Sequence, residues 1–580
     1  ALQAYGKRSF DVITWLNNLI NKRANMHLRL VKGAYWDYEI KHSQVLGYED
    51  YPVFSKKSVT DIMYLACAKE ILKNKNIFPK FATHNAHTIS SINYLGEGRD
   101  YEFQRLFGMG ELLYKSASAT INLEKSPSVY APIGDYKDLL PYLVRRLLEN
   151  GANSSFINRL LDPETDPKWL AENPYIRMQN EKKDIPLPKN IFSNRLNSSG
   201  MDITEKENLD LLQKKLNSFN GKLVSAKSIY VDRNDDGYKE EQVYSISTNS
   251  LIGSVAYDDP VEIKKHLNKN DSNKWSSSIV EDRSQTLNKI ADDIEQNPYE
   301  LIYFLINEAG KTIQNSIDEI REAIDFLRYY SNQILEISND KELEGPTGEK
   351  NIISYSPKGR FLCISPWNFP VAILIGQISA ALASGNKVIV KPSEHTSILG
   401  YLVVKRFHDL GIPIEALELI IGDGSYGEFL SQVDPLNGVA FTGSLATAKK
   451  IQTNLLKNQK QIIPLIAETG GINAMIVDSS ALLEQVTDDV IRSAFDSAGQ
   501  RCSALRVLCI QEEIYEELIE MIKGSIKTQS LGDPNNFDID IGPIINRKAL
   551  DDLNKYIDSC NDKGMKVFNF KNSYPATHIS

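Results

Sequence analysis

Cys502 stands directly after Gly499, Gln500 and Arg501 in the stretch SAGQRCSALR (Ser497–Arg506), and Glu468 stands before Gly470 and Gly471 in PLIAETGG (Pro464–Gly471). A thiol and a carboxylate 34 positions apart (502 − 468) are the types from which a nucleophile and a base are made. Small neighbours let a substrate reach the sulfur, and the adjacent cation Arg501 favours the thiolate. Taken singly, each has a plainer reading: a lone Cys is usually a small buried hydrophobe, and a Glu before Gly-Gly a solvated turn residue. The segment between the two reads as helical, acidic and rich in Ser and Ala.

A third stretch changes that balance. CISPWNFPVAILIGQISAALASGNKVIVKPSE (Cys363–Glu394) reads as an apolar strand, an Asn-containing turn, a helix, a Gly-Asn turn and a second apolar strand. It ends in Lys391-Pro392-Ser393-Glu394. That is a β-α-β unit, and chemistry in such units collects at the strand ends.

Together these three stretches resemble the aldehyde dehydrogenase superfamily over about residues 200–580. The resemblance implies Cys502 as nucleophile, Glu468 as general base, Asn368 as side-chain donor to the oxyanion, and Ser503 beside the substrate. It implies NAD as cofactor, with Lys391 and Glu394 near the adenine ribose and Trp367 beside it. FTGSLATAKK (Phe441–Lys450) corresponds to the strand-turn-helix under the pyrophosphate, which places Gly443 and Ser444 there. Ala448 departs from the Gly that many members carry.

Composition sets the bounds. At 580 residues the chain is too long for one core and is expected to form about three domain-sized units. Its 42% hydrophobic and 24% charged content is that of a globular protein, and a net charge of −9 argues against nucleic-acid binding over the whole surface. Five scattered cysteines without a CxxC pair indicate a reducing compartment, with neither a disulfide framework nor a metal site. No apolar run reaches the length of a membrane span, and no signal peptide is apparent.

Residues 1–150 alternate short apolar runs (Leu28–Tyr35, Phe78–His84, Glu102–Gly108, Ser128–Ile133) with helical stretches such as Val59–Lys73. Repeats of this size predict part of a (β/α)-barrel, whose working residues sit at strand C-terminal ends. Lys32, Tyr35, Thr83, His84 and Tyr130 occupy such ends. His84 and His87 read as rim histidines, since their spacing is weak evidence for a metal. Further on, Arg145, Arg146 and Glu149 share an amphipathic helix. A solvated ion-pair face is the plain reading; two guanidiniums aimed at a cavity would instead grip a carboxylate.

RLVKGAYW (Arg29–Trp36), FATHNAHT (Phe81–Thr88), FGMGE (Phe107–Glu111), YAPIG (Tyr130–Gly134) and LVRRLLENGANSSF (Leu143–Phe156) resemble the proline dehydrogenase barrel. Its order before an aldehyde dehydrogenase matches the bifunctional proline utilization A family, over nearly the whole chain. The resemblance implies FAD, contacted by Gln3, Arg29, Lys32, Thr83 and His84. It implies Arg145 and Arg146 clamping the proline carboxylate, with Glu149, Leu30, Tyr35 and Tyr130 shaping the pocket. The expected activity is two-step oxidation of L-proline to L-glutamate: FAD-dependent proline dehydrogenation, then NAD-dependent oxidation of glutamate semialdehyde through a Cys thioester. A cytoplasmic homo-oligomer is implied, docking peripherally at the inner face of the bacterial membrane where a quinone accepts the flavin's electrons.

Measured against that family, the chain reads as truncated at both ends, starting near the fourth barrel strand and stopping before the late aldehyde dehydrogenase motifs. The competing reading is a catalytically inert or split-gene fragment needing a partner chain. The fold class expected is α/β: a partial (β/α)8 barrel (1–160), a Pro-, Asn- and Lys-rich linker (161–225), a Rossmann-like NAD-binding domain (226–465) and an incomplete catalytic domain (466–580). Within the third, the apolar stripe of Asn315–Tyr330 predicts a packing helix rather than a site.

Overall fold

Strand alternation builds the first sheet. In β2 (Met26–Val31) Leu28 and Leu30 are buried on one face while Arg29 lies on the other. In β3 (Ile77–Ala82) the buried set is Ile77, Pro79 and Phe81. These apolar faces share one core with Ile13, Tyr64, Ile71 and Ile92, contributed by the helices Ser9–Ile20, Lys57–Lys73 and Ala86–Leu95. The structure is a computed structural model that describes all residues except 21–25, 122, 124, 125, 137, 138, 141, 143, 145–171, 182–184, 234–237, 269–273 and 569–580. It divides into two units, Ala1–Ile191 and Phe192–Ser580.

With β1 (Leu2–Gln3), β4 (Glu102–Leu106) and β5 (Ser128–Tyr130), the first unit holds five parallel strands in the order β1-β2-β3-β4-β5, each joined to the next through helix. Sequential order with helical crossovers is barrel-type winding. The face turned away from the helices carries a polar row. Arg29, Lys80 and Glu102 stand in register across three strands, and Lys80 lies 3.6 Å from Glu102.

The first sheet of the second unit has three strands, β6 (Val224–Lys227), β7 (Lys239–Tyr244) and β8 (Leu251–Tyr257). A small hairpin of β9 (Lys341–Leu343) and β10 (Asn351–Ile353) comes after it. Next come five parallel strands: β11 (Arg360–Ile364), β12 (Lys387–Lys391), β13 (Leu417–Leu419), β14 (Gly438–Gly443) and β15 (Leu465–Thr469), in the order β13-β12-β11-β14-β15. Every residue of β12 is buried, as a strand covered on both faces requires. The covering helix Ala372–Ala383 is accordingly mostly apolar, with Leu374, Ile375, Ile378 and Leu382 fully buried. Helix Ile313–Ile337 packs against it through Ile317, Ile320, Ala323, Ile324 and Leu327, the stripe read from the sequence.

Two segments differ from expectation. Residues 192–225, read as linker, pack onto the second unit: Ser198 bonds Asp325 through both its backbone N–H and its hydroxyl, and Leu212 is fully buried. Polar composition hid this, because the anchoring side chains are themselves polar. Between the two signatures, helix Leu483–Ala494 is preceded by a strand, β16 (Asn473–Val477), which pairs in parallel with β17 (Leu505–Ile510).

Candidate active sites

In the second unit the chain runs from β11 outward through β12 to β13, then returns to the other side of β11 as β14. That reversal opens a crevice at the C-terminal ends of β11 and β14, where open α/β sheets take their ligands. Trp367 and Asn368 come just after β11, Lys391 ends β12, and Gly443 ends β14. Ser444 caps helix Leu445–Asn458, its hydroxyl accepting from the Thr447 N–H at 3.1 Å, so a helix N-terminus faces the strand tips. Ala448 is buried inside that helix. Lys391 is also buried; burial lowers its pKa while Glu394 and Asp423 pull it back. Its Nζ donates to the Pro392 carbonyl at 2.9 Å and lies 3.8 Å from the exposed Glu394 carboxylate. Near the β11 tip, Ser365 Oγ and Gln377 Oε1 are buried without a hydrogen-bond partner among the described residues, while the Gln377 amide donates to Ile364 O and Thr442 Oγ1. The helix N–H groups and the Ser365 hydroxyl can donate to a phosphate, and Gln377 Oε1 can accept from a ligand hydroxyl or amide, a mixture that fits a polar ligand such as a dinucleotide.

The thiol lies at the end of a strained turn. Ser497, Ala498 and Gly499 take φ of 53°, 56° and 67°, three successive left-handed residues of which only the glycine does so freely. Two asparagines grip the next residues, 500 to 504. Asn368 Nδ2 donates to Gln500 O at 3.0 Å, and its second N–H has no hydrogen-bond partner among the described residues. Asn473 Nδ2 donates to Cys502 O at 2.7 Å and to Ala504 O at 2.9 Å. Asn473 opens β16 just beyond Gly470 and Gly471, so the segment carrying Glu468 is tied to the cysteine itself. Glu468 pairs in register with Thr442 on β14. Glu468, Cys502 and Ser503 are all exposed.

Arg501 has another task than the one read from its position. Its guanidinium is paired with Asp496 and donates to Asn315 Oδ1 at 2.6 Å. Its charge is therefore matched by a carboxylate at the start of the turn, rather than offered to the thiol. Asn315 Nδ2 also bonds Asp496, at 2.8 Å. Asn315 belongs to helix Ile313–Ile337, so that helix both packs and braces the site. The sequence reading missed this, as it missed Asn473 and Gln377; a polar residue at the first turn beside an apolar stripe was the available signal.

In the first unit the named residues lie at or just after the strand ends. Lys32 comes directly after β2 and pairs with Asp61, which also lies 3.4 Å from Lys57. Burial lowers the Lys32 pKa against the pull of Asp61. Burial would raise Asp61, yet Lys32 and Lys57 hold it below its ordinary value. Arg29 stacks over the Tyr130 ring, 4.4 Å from its centroid, and its Nε is buried without a hydrogen-bond partner among the described residues. Gln3 Oε1 accepts from the Ala34 N–H at 3.3 Å. Thr83 is buried, its carbonyl held by the Tyr114 hydroxyl at 2.9 Å. His84 Nε2 accepts from the Leu106 N–H at 3.2 Å, which makes it a backbone-bound rim histidine. Leu30 does not shape this face: it is fully buried in the strand-helix core, opposite Arg29. Tyr35 is exposed, ahead of helix Trp36–Leu46. Arg145, Arg146 and Glu149 lie outside the described residues.

Residues 1–159 match the proline dehydrogenase family and residues 231–573, more than half the chain, the aldehyde dehydrogenase family. The chain is 40% identical to the bifunctional protein PutA of Salmonella typhimurium over 98% of its own length, and spans 44% of that protein. It superposes on the crystal structure of a Bradyrhizobium japonicum proline utilization A mutant, D779W, with a TM-score of 0.87 at 39% identity, covering 97% of this chain and 55% of that one. A Thermus 1-pyrroline-5-carboxylate dehydrogenase with bound NAD gives a TM-score of 0.63 at 26% identity, over 67% of this chain and 77% of that one. The chain thus belongs to the aldehyde dehydrogenase family, which it joins to a preceding proline dehydrogenase segment in the arrangement of the bifunctional PutA proteins.

Proposed function

We propose that this chain serves the two-step oxidation of L-proline to L-glutamate. The observation that carries the reading is the pair of asparagines, Asn368 and Asn473, whose side-chain amides donate to Gln500 O and Cys502 O and so tie the cysteine turn both to the segment after β11 and to the strand that follows Glu468. Cys502 attacks the carbonyl carbon of glutamate semialdehyde. The second N–H of Asn368 and the Cys502 backbone N–H stabilise the oxyanion, each such donor contributing roughly 3–4 kcal/mol to lowering the barrier. Lys391, Glu394, Trp367, Gly443 and Ser444 would hold NAD, which when bound accepts the hydride. Glu468 then activates water to hydrolyse the Cys502 thioester, and Ser503 lines the aldehyde side.

In the first unit Gln3, Arg29, Lys32, Thr83 and His84 would hold FAD, which when bound takes hydride from the proline Cδ; the nitrogen gives up a proton, and water opens the resulting cyclic imine to glutamate semialdehyde. The Nε of Arg29 in the polar row, buried without a partner among the described residues, supports an anionic ligand there. Tyr130 walls the pocket, and Arg145 and Arg146 fix the carboxylate, so the protein's part is orientation. Cys502→Ala in the full chain should abolish NADH formation from the semialdehyde and leave proline oxidation intact. NADH formation at the unaltered rate would refute the assignment.

A further inference from the structure

Helix Ala372–Ala383 follows Trp367-Asn368-Phe369-Pro370 with Val371 as its N-cap residue, whose side chain makes no capping hydrogen bond. The first N–H groups of a helix need partners. Here Val371 N and Ala372 N donate to Glu319 Oε1, at 2.8 and 3.2 Å, from a residue 52 positions earlier in the sequence. Glu319 Oε2 lies 2.6 Å from Lys311 Nζ, and both side chains are buried. The same ammonium sits 4.2 Å from the centroid of the Phe369 ring. One ion pair therefore touches the chain immediately after Asn368 and again two residues further on.

We infer that Lys311 and Glu319 are a positioning pair that fixes the Asn368 turn for oxyanion binding; the inference rests on the aldehyde chemistry proposed above. A buried ion pair is weak support for stability as such, because desolvation offsets most of its attraction. What it supplies is geometry. The carboxylate sets the start of the helix, and the ammonium sets the Phe369 ring. Asn368 is left to direct one N–H at Gln500 O and the other at the reacting carbonyl. Helix Ile313–Ile337 also holds Asp496 and Arg501 through Asn315, so one rigid element references both the donor turn and the thiol turn. Misplacement by about 1 Å at such a site costs on the order of a hundredfold in rate. Neither residue is placed to touch substrate.

The test uses the full chain carrying Glu319→Gln and, separately, the double variant Lys311→Met/Glu319→Leu, which removes both charges at similar volume. Three quantities are read: kcat and KM for NAD-dependent aldehyde oxidation, the rate of Cys502 alkylation by iodoacetamide, and proline oxidation with a dye acceptor. The expected result is a fall in kcat of roughly ten- to a hundredfold in both variants. KM for NAD, alkylation and proline oxidation should stay within about twofold. A wild-type kcat in either variant overturns the inference. So does a kcat loss that takes alkylation and proline oxidation down with it, since that marks a merely structural role. Asn368→Ala run alongside separates the two levels: full kcat there overturns the aldehyde reading itself, whereas loss there with full kcat in the pair variants overturns only the role of the pair.

Discussion

Glu308 gives a pH-dependent test of how the turn after β12 is held. Its carboxylate is buried and accepts from Ile398 N at 2.8 Å and Leu399 N at 2.9 Å, capping helix Ser397–Asp409 just beyond Lys391 and Glu394. Burial pushes its pKa from the ordinary 4.5 up to about 8, against the pull of the two N–H groups. The folded chain therefore holds this proton more tightly than the unfolded chain. The contribution to stability is fully present below about pH 4.5 and is lost as pH rises towards 8. At about 1.4 kcal/mol per pH unit, the gap sets an upper bound of about 5 kcal/mol. The true figure is smaller, because the positive end of the helix favours the charged carboxylate. Glu308→Gln keeps the shape and one acceptor but cannot titrate. Calorimetric melting of both proteins from pH 5 to 9 should show the wild-type Tm falling by a few degrees relative to the variant as pH rises. Parallel Tm curves across that range would refute the argument.

Gly499→Ala should place a methyl 2.8 Å from Ala494 O at φ 67°, a conformation costing an L-residue about 1–2 kcal/mol. The turn must shift, and kcat for aldehyde oxidation should fall by roughly a hundredfold, while proline oxidation is unchanged. The two faces of β2 give a paired contrast. Arg29→Met should lower the flavin content of the purified chain, read by its absorbance, with little change in melting. Leu30→Ala should instead cost about 2–5 kcal/mol of stability and leave the flavin content of the folded fraction intact.

Local pattern was legible where one segment decides its own fate. The apolar runs at Leu28, Phe78 and Glu102 became strands, and the stripe of Ile317, Ile320 and Leu327 became a buried helix face. Contacts across the chain were not legible. Periodicity says that Ile320 is buried, but not that neighbouring Glu319 will cap a helix 52 residues on, nor that Asn315 will meet Asp496 across 181 positions. Arg501 misled because adjacency to Cys502 in sequence says nothing of direction. The left-handed run at 497–499 folds Asp496 back onto the guanidinium. Leu30 was placed in the pocket by its neighbours, although strand alternation alone assigns it the opposite face from Arg29.

Asn315 and Glu319 stand one turn apart on helix Ile313–Ile337, with Lys311 just ahead of its Thr312 cap, and the three work as a ruler. Each residue added or deleted there would swing the rest of the helix by about 100°. A single insertion between Lys311 and Glu319 would turn the carboxylate away from Val371 and the apolar stripe away from its core at the same stroke. This stretch can drift in composition on its outward side, but its length is locked.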